Sequence, residues 1–153
     1  MKMMRRGIII ICIAILCLNV VSMWPESKYY DSGLEKEINA GSAKVIEVNK
    51  SFKIDNDTMK ILRIINTSDR TYIRYALIKK EKGWTLPDTS ISMIDDKGHQ
   101  YQCFGFGSSG KSWGEEGLFQ CDPIAEDAQR ITMKFQWFDR MNQLSIPLQK
   151  EVN

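Results

Sequence analysis

Histidine is almost missing from this chain: among 153 residues there is one, His99. That excludes a paired-histidine metal site and leaves no Ser-His-Asp set to assign. Cysteine is scarce, with four in all at Cys12, Cys17, Cys103 and Cys121. The first two lie in an apolar run and act as small hydrophobes, and two cysteines with one histidine do not complete a zinc site. An excess of charge of one sign is lacking too. The formal charge is +2, from 21 basic and 19 acidic residues. Lys2, Arg5 and Arg6 supply three of the basic residues, so residues 7 to 153 carry 18 against 19. A near-neutral body excludes charge-driven binding of nucleic acid and adsorption to an anionic membrane by charge alone. Internal repeats and low-complexity tracts are absent. Hydrophobic residues make up 43% and charged residues 26%, a balance that supports a packed core and excludes global disorder.

One long apolar run is present. MKMMRR is followed by GIIIICIAILCLNVVSMW, Gly7 to Trp24, with no charge for 18 residues. As a helix it spans about 27 Å, close to the roughly 30 Å hydrocarbon core of a bilayer. Pro25 and Glu26 end it. The basic start places that side in the cytoplasm, so the body is expected outside. Residues 1–25 are read first as an uncleaved signal anchor, one transmembrane helix. Two other readings stay open. Val20 and Ser22 put small residues at −3 and −1 of a signal peptidase site between Ser22 and Met23. A lipoprotein site at Cys17 is the third, although Leu16 stands where Gly, Ala or Ser is customary. A buried helix of a soluble protein is disfavoured, because four consecutive isoleucines would need protein on every side.

Residues 26–42, ESKYYDSGLEKEINAGS, read as a polar tether with room for a short helix around Leu34 to Asn39. From Ala43 the period changes to two. Ile46, Val48, Phe52 and Ile54 share one register, broken at Lys50. TMKILRII, TYIRYALIKK, SISMI, HQYQCFGF, GLFQC, QRITMKFQWF and QLSIPL complete a set of about eight strands. In QRITMKFQWF, Ile131, Met133, Phe135 and Trp137 alternate with polar residues, which is the pattern of a half-buried antiparallel strand. DDKG after SISMI is a hairpin signal. Ile124 to Gln129 has room for one helical turn. The fold class expected for residues 43–153 is an all-β antiparallel sandwich of about 7–8 strands.

Residues Gly105 to Ser112 read GFGSSGKS. They satisfy G-x-x-x-x-G-K-[ST] and also G-x-G-x-x-G. A phosphate loop needs a helix starting at its lysine, whose free N–H groups and dipole hold the phosphate. Here WGEEGLFQC follows, with Gly114 and Gly117 where that helix would be. The stretch is therefore expected to be a mobile hairpin loop between two strands, with no nucleotide or other cofactor. A nucleotide-binding protein using Gly105–Ser112 remains a remote alternative. Loops on a rigid sandwich carry binding residues, which singles out Lys111 and Trp113 here and Trp84 in EKGWTLPD. Tryptophans so placed either contact a partner or fold back over the core.

Cys103 and Cys121 lie on the strands flanking this stretch, one on the face of Tyr101 and the other on the face of Phe119. In an oxidising compartment they are candidates for a disulfide; two buried free thiols are the alternative. His99 follows the DDKG turn and is expected in solvent. It stands about 13 Å along a strand from Cys103, too far to pair with it. Asp95 with Asp96, and Asp55 with Asp57, are paired carboxylates in turns, where Asp bonds the backbone. Calcium-loop spacing is absent. The sequons at Asn56 and Asn66 carry meaning only in a eukaryotic host and are read as coincidence.

Three stretches carry a resemblance. ILRIINTSDRTYIRYALIKK ends a strand in Asn66. SISMIDDKGHQYQCFG contains D-x-x-G-x-x-Y from Asp95 to Tyr101. GLFQCDPIAEDAQRITMKFQWF steps from Phe119 to Pro123 into an alternating strand. Together, over residues 43 to 149, they resemble immunoglobulin-like domains, including telokin-like ones, found in membrane-anchored or secreted proteins of Gram-positive bacteria. The resemblance implies an immunoglobulin-like sandwich and export, and it carries over no catalytic residue.

The expected function is a non-catalytic, membrane-tethered extracytoplasmic binding or sensing module, not an enzyme. Its partner would be an extracytoplasmic protein or a cell-envelope ligand. The alternative is a secreted inhibitor or ligand-blocking protein released after Ser22.

Overall fold

The computed structural model describes residues 32–81 and 83–149. The segment 1–25 lies outside the described residues. Among the described residues no helix is long and apolar enough to cross a membrane. One helix, α1 (Ser32–Asn39), occupies the end of the stretch read as a tether. Leu34 is its buried side chain. The amides of Gly41 and Ser42 turn back to the carbonyls of Ile38 and Glu37 and end it.

Eight strands follow: β1 (Lys44–Ile54), β2 (Asp57–Asn66), β3 (Thr71–Ile78), β4 (Ile91–Asp95), β5 (Gln100–Lys111), β6 (Gly114–Cys121), β7 (Arg130–Trp137) and β8 (Arg140–Pro147). They form one antiparallel sheet in the order β1-β2-β3-β6-β5-β4-β7-β8. The sheet is nearly barrel-shaped. Its two terminal strands meet at one end, where Asn142 Nδ2 on β8 donates to the Lys53 carbonyl on β1 at 2.7 Å. Strands β4, β5 and β6 are joined by hairpins, and β7 returns to lie beside β4 while β3 lies beside β6. These are two overlapping Greek keys, each needing a long connection: residues 79–90 between β3 and β4, and residues 122–129 between β6 and β7.

The core follows from alternation. Met59, Ile73, Leu77, Met93, Phe119, Ile131, Met133 and Phe135 are buried inside the curl. A bulge between Ile61 and Arg63 lets Ile61 and Ile64 both reach this core, although they are three residues apart. A second bulge, between Glu47 and Lys50, falls where the alternation of β1 breaks. It holds Asn49 at φ 48.

Antiparallel pairing gives the sheet two distinct ends. The chain enters β1 at the end that also holds the β2–β3 turn, the β4–β5 turn, the β6–β7 connection and the exit of β8. We call this end proximal. The opposite, distal end holds the β1–β2, β5–β6 and β7–β8 turns and the β3–β4 connection. An eight-residue strand separates the two by about 27 Å.

One expectation is corrected here. GFGSSGKS is not a mobile loop. Gly105 to Lys111 belong to β5 and pair with Phe119 to Gly114 of β6. Only Ser112 and Trp113 form the turn. Glycine and serine weaken a strand in isolation. Here the pairing with a well-anchored β6 and close packing of the β3–β4 connection override that preference. A Cβ on Gly105 would sit 2.3 Å from the Asp88 carboxylate and force that side chain aside.

Candidate functional site

The motif residues of the resemblance, Asn66, Asp95 to Tyr101 and Cys121 to Pro123, lie at the proximal end and hold it together. Asp95 is the acceptor for the Lys97 and His99 amides at 2.8 and 2.9 Å, and for the Tyr101 hydroxyl at 2.8 Å. His99 Nδ1 lies 2.9 Å from the same carboxylate, while most of its ring stays in solvent. The D-x-x-G-x-x-Y spacing is thus a buried carboxylate organising its own hairpin. Burial pushes the Asp95 pKa up, but the bonds from His99, Tyr101 and Lys97 outweigh it and hold the carboxyl well below its usual range. Asp96 accepts from the Gln129 and Arg130 amides at 3.0 and 3.2 Å. Asn66 bonds the Ile124 carbonyl and amide and the Thr71 hydroxyl, tying the β2–β3 turn to the β6–β7 connection. A cleft of about 380 Å³ lies beside it, between Lys44, Ile46, Ile124 and Leu148.

Just inside this end, Cys103 and Cys121 are direct cross-strand partners, and their sulfurs are joined as a disulfide. Both are buried beside Tyr101 and Phe119. The disulfide sits where β5 changes neighbours. Gln100 to Gln102 pair with β4, and Cys103 onward pair with β6.

The distal end brings together the residues singled out for binding. Lys79 lies at its centre. Its amide donates to the Trp113 carbonyl at 2.9 Å. Its ammonium donates to the Trp84 carbonyl at 2.8 Å and to Glu115 Oε2 at 2.7 Å. The Trp84 indole lies 5.4 Å from both the Lys79 ammonium and the Arg140 guanidinium. Its Nε1–H donates to Asp57 Oδ2 at 2.7 Å, and the ring packs on the edge of the core. Asp57 also accepts from the amides of Lys80 and Glu81. Burial raises its pKa, but the donors from Glu81, Lys80 and Trp84 outweigh this and leave it lowered. Arg140 closes the cluster with Asp55 at 2.9 Å and Glu81 at 3.2 Å. Glu115 is buried and accepts from the Tyr75 hydroxyl at 3.2 Å. Burial first, and then the Glu115 charge, push that hydroxyl above its usual range.

Trp84 is therefore pinned, whereas Trp113 projects from the two-residue β5–β6 turn with 39% of its surface exposed. The turn depends on Gly114. Its φ is 151, and a Cβ there would lie 1.9 Å from the Leu77 carbonyl oxygen. Lys111 sits on the same hairpin, opposite Gly114. Several residues here were not singled out from sequence. Phe138 at the β7–β8 turn is 81% exposed and held at φ 51, a conformation that bulky residues avoid. Phe104 and Phe106 on β5 are also exposed, and Phe106 stacks edge-on with Tyr72 at 5.7 Å. The two phenylalanines could have been found by parity: Tyr101 and Cys103 point inward, so 104 and 106 point out.

This arrangement leaves Trp113 and Phe138 exposed beside a bonded polar cluster. Its lysine and carboxylates are bonded to one another, and among the described residues no group of three or more His, Cys, Asp or Glu could hold a metal ion.

The chain belongs to the family of unknown function DUF5643, which it matches over residues 43–151. Among solved structures it is similar to the conserved domain protein from Bacillus anthracis. The TM-score is 0.57 and the identity 12%, over 70% of this chain and 49% of that one. The likeness is one of fold, and this chain spans about half the length of that protein. No curated protein matches the sequence.

Proposed function

We propose that this is an immunoglobulin-like sandwich carried outside the cell membrane on residues 1–25 and their tether, where it binds a cell-envelope partner without catalysis. The strand order supports the fold part of this reading. The neighbours β2-β3-β6-β5 and β4-β7-β8 match the two sheets of a constant-type immunoglobulin domain, ABED and CFG. β1 is then an added edge strand. The disulfide lies elsewhere, between the strands corresponding to D and E rather than across the sheets. β4, the counterpart of strand C, carries no tryptophan.

The observation that carries the binding role is the exposed Trp113 at the distal end, on a hairpin fixed by Lys79 and Gly114. The tethered end of the chain is the opposite one. A membrane anchor preceding β1 would therefore hold the bilayer near the proximal end and present Trp113 and Phe138 outward. Exposed aromatics on a rigid frame supply contact area at little entropic cost.

The test is protease shaving of intact cells that express the full chain with a C-terminal tag. Loss of the tag while a cytoplasmic control survives is the expected result. A tag protected until the cells are lysed would overturn the reading. Release into the medium of a chain starting at Met23 would favour the secreted alternative.

A further inference from the structure

β5 is paired on both sides only at its start. From Phe106 to Lys111 its backbone bonds β6 alone, and no other described element makes a backbone bond to it. Those six residues, Phe-Gly-Ser-Ser-Gly-Lys, form an open edge of about 20 Å. Natural sheets cover such edges or block them with prolines and charges, because an open edge templates another strand. This edge has no proline and one charge, Lys111, at its far end.

Beside the edge the β3–β4 connection, bonded to β5 at Gly105, leaves a slot of about 240 Å³, the size for a single side chain. Leu86, Phe119 and the Tyr75 and Ser108 hydroxyl-bearing side chains line it, together with Asp88. The Asp88 carboxylate lies over Gly105, and no described residue donates to it or pairs with it. Glu115, the other carboxylate nearby, is already neutralised by Lys79. An open edge beside a pocket is the geometry of recognition by strand addition, in which backbone bonds give affinity and a side-chain pocket gives selectivity.

We infer that β5 accepts an extended segment of a partner protein along Phe106–Lys111, with a lysine or arginine of that segment entering the slot toward Asp88. The glycines and serines of GFGSSGKS then have a purpose: they keep the edge free of bulk. The inference rests on the proposed binding role and names the chemistry of its partner.

The test is fluorescence anisotropy with the full chain in detergent and three labelled probes. The first is a short acetylated peptide of alternating threonine and valine with one central lysine. The second has glutamate in place of the lysine. The third is the lysine peptide with alternate backbone nitrogens methylated, prepared in both registers. The lysine peptide should bind. The glutamate peptide and one methylated register should each bind about tenfold more weakly or less. Asp88→Asn, with unchanged far-ultraviolet circular dichroism, should remove the preference for lysine. Absence of binding by the lysine peptide, equal binding of lysine and glutamate peptides, or indifference to methylation in both registers would overturn the inference. None of those results bears on protease shaving, so failure here and failure of the extracytoplasmic reading are separable.

Discussion

At the proximal end Asp95 gathers donors from Lys97, His99 and Tyr101; part-way along β5, over Gly105, Asp88 faces a slot with no described donor. The aromatic residues divide the same way. Tyr101 is buried with its hydroxyl bonded, while Phe138 stands in solvent and Trp113 is part-exposed. β5 runs between these two regimes, doubly paired and cross-linked at its start and single-edged beyond. Polar groups tied to one another build a frame. Groups left untied on that frame are the ones the proposed binding role would use.

Breaking the frame should have the larger effects. Replacing both Cys103 and Cys121 by alanine opens a loop with a separation of 18 residues and should cost about 3 kcal/mol in chemical denaturation. An unchanged midpoint would show that the disulfide does not hold the frame. Trp84→Phe keeps the ring but removes the donor to Asp57 and should cost about 1–2 kcal/mol. The contrast with Trp113 sharpens the comparison. Trp113→Phe should change stability by about 0.5 kcal/mol or less, because the indole nitrogen of Trp113, unlike that of Trp84, donates to no described residue. A larger loss would mean that Trp113, too, is structural.

Acid should act on the frame as well. Asp95, Asp57 and Asp96 all ionise below the usual aspartate range in the folded chain. The unfolded chain therefore binds more protons as the pH falls below about 4. The stability these groups contribute is whole above that value and is lost as pH descends toward their folded values. Denaturation midpoints should fall over this range, and Asp95→Asn should flatten the slope. A slope identical in the variant would remove Asp95 from the explanation.

Much of the frame was legible in the sequence, because it is written in local patterns. Ile131, Met133 and Phe135 alternate and are buried on one face of β7, whereas Trp137, read in the same register, is exposed. Asp95 to Gly98 mark a hairpin, and they form one. The distal end was harder to read. Gly105 to Lys111 have the composition of a loop and become a strand through pairing with β6, a partner that intrinsic propensity does not weigh. The neighbours of β3 and β4 are β6 and β7, and alternation within a strand does not reveal which distant strand lies beside it. Asp88 reads as an ordinary turn residue; its place over Gly105 exists only once the β3–β4 connection has crossed the distal end. Phe104 and Phe106 were legible by parity, provided that β5 is taken to continue through the glycines.

The most direct measurement is labelling of a Ser112→Cys variant, beside Trp113 in the β5–β6 turn, with a membrane-impermeant maleimide on intact cells. Alanine at Cys12 and Cys17 removes the two cysteines other than the disulfide pair. Labelling before lysis, at the level of a known surface protein, is the result expected of a distal end presented outside the membrane. Labelling only after lysis would place that end inside the cell and contradict the proposed function.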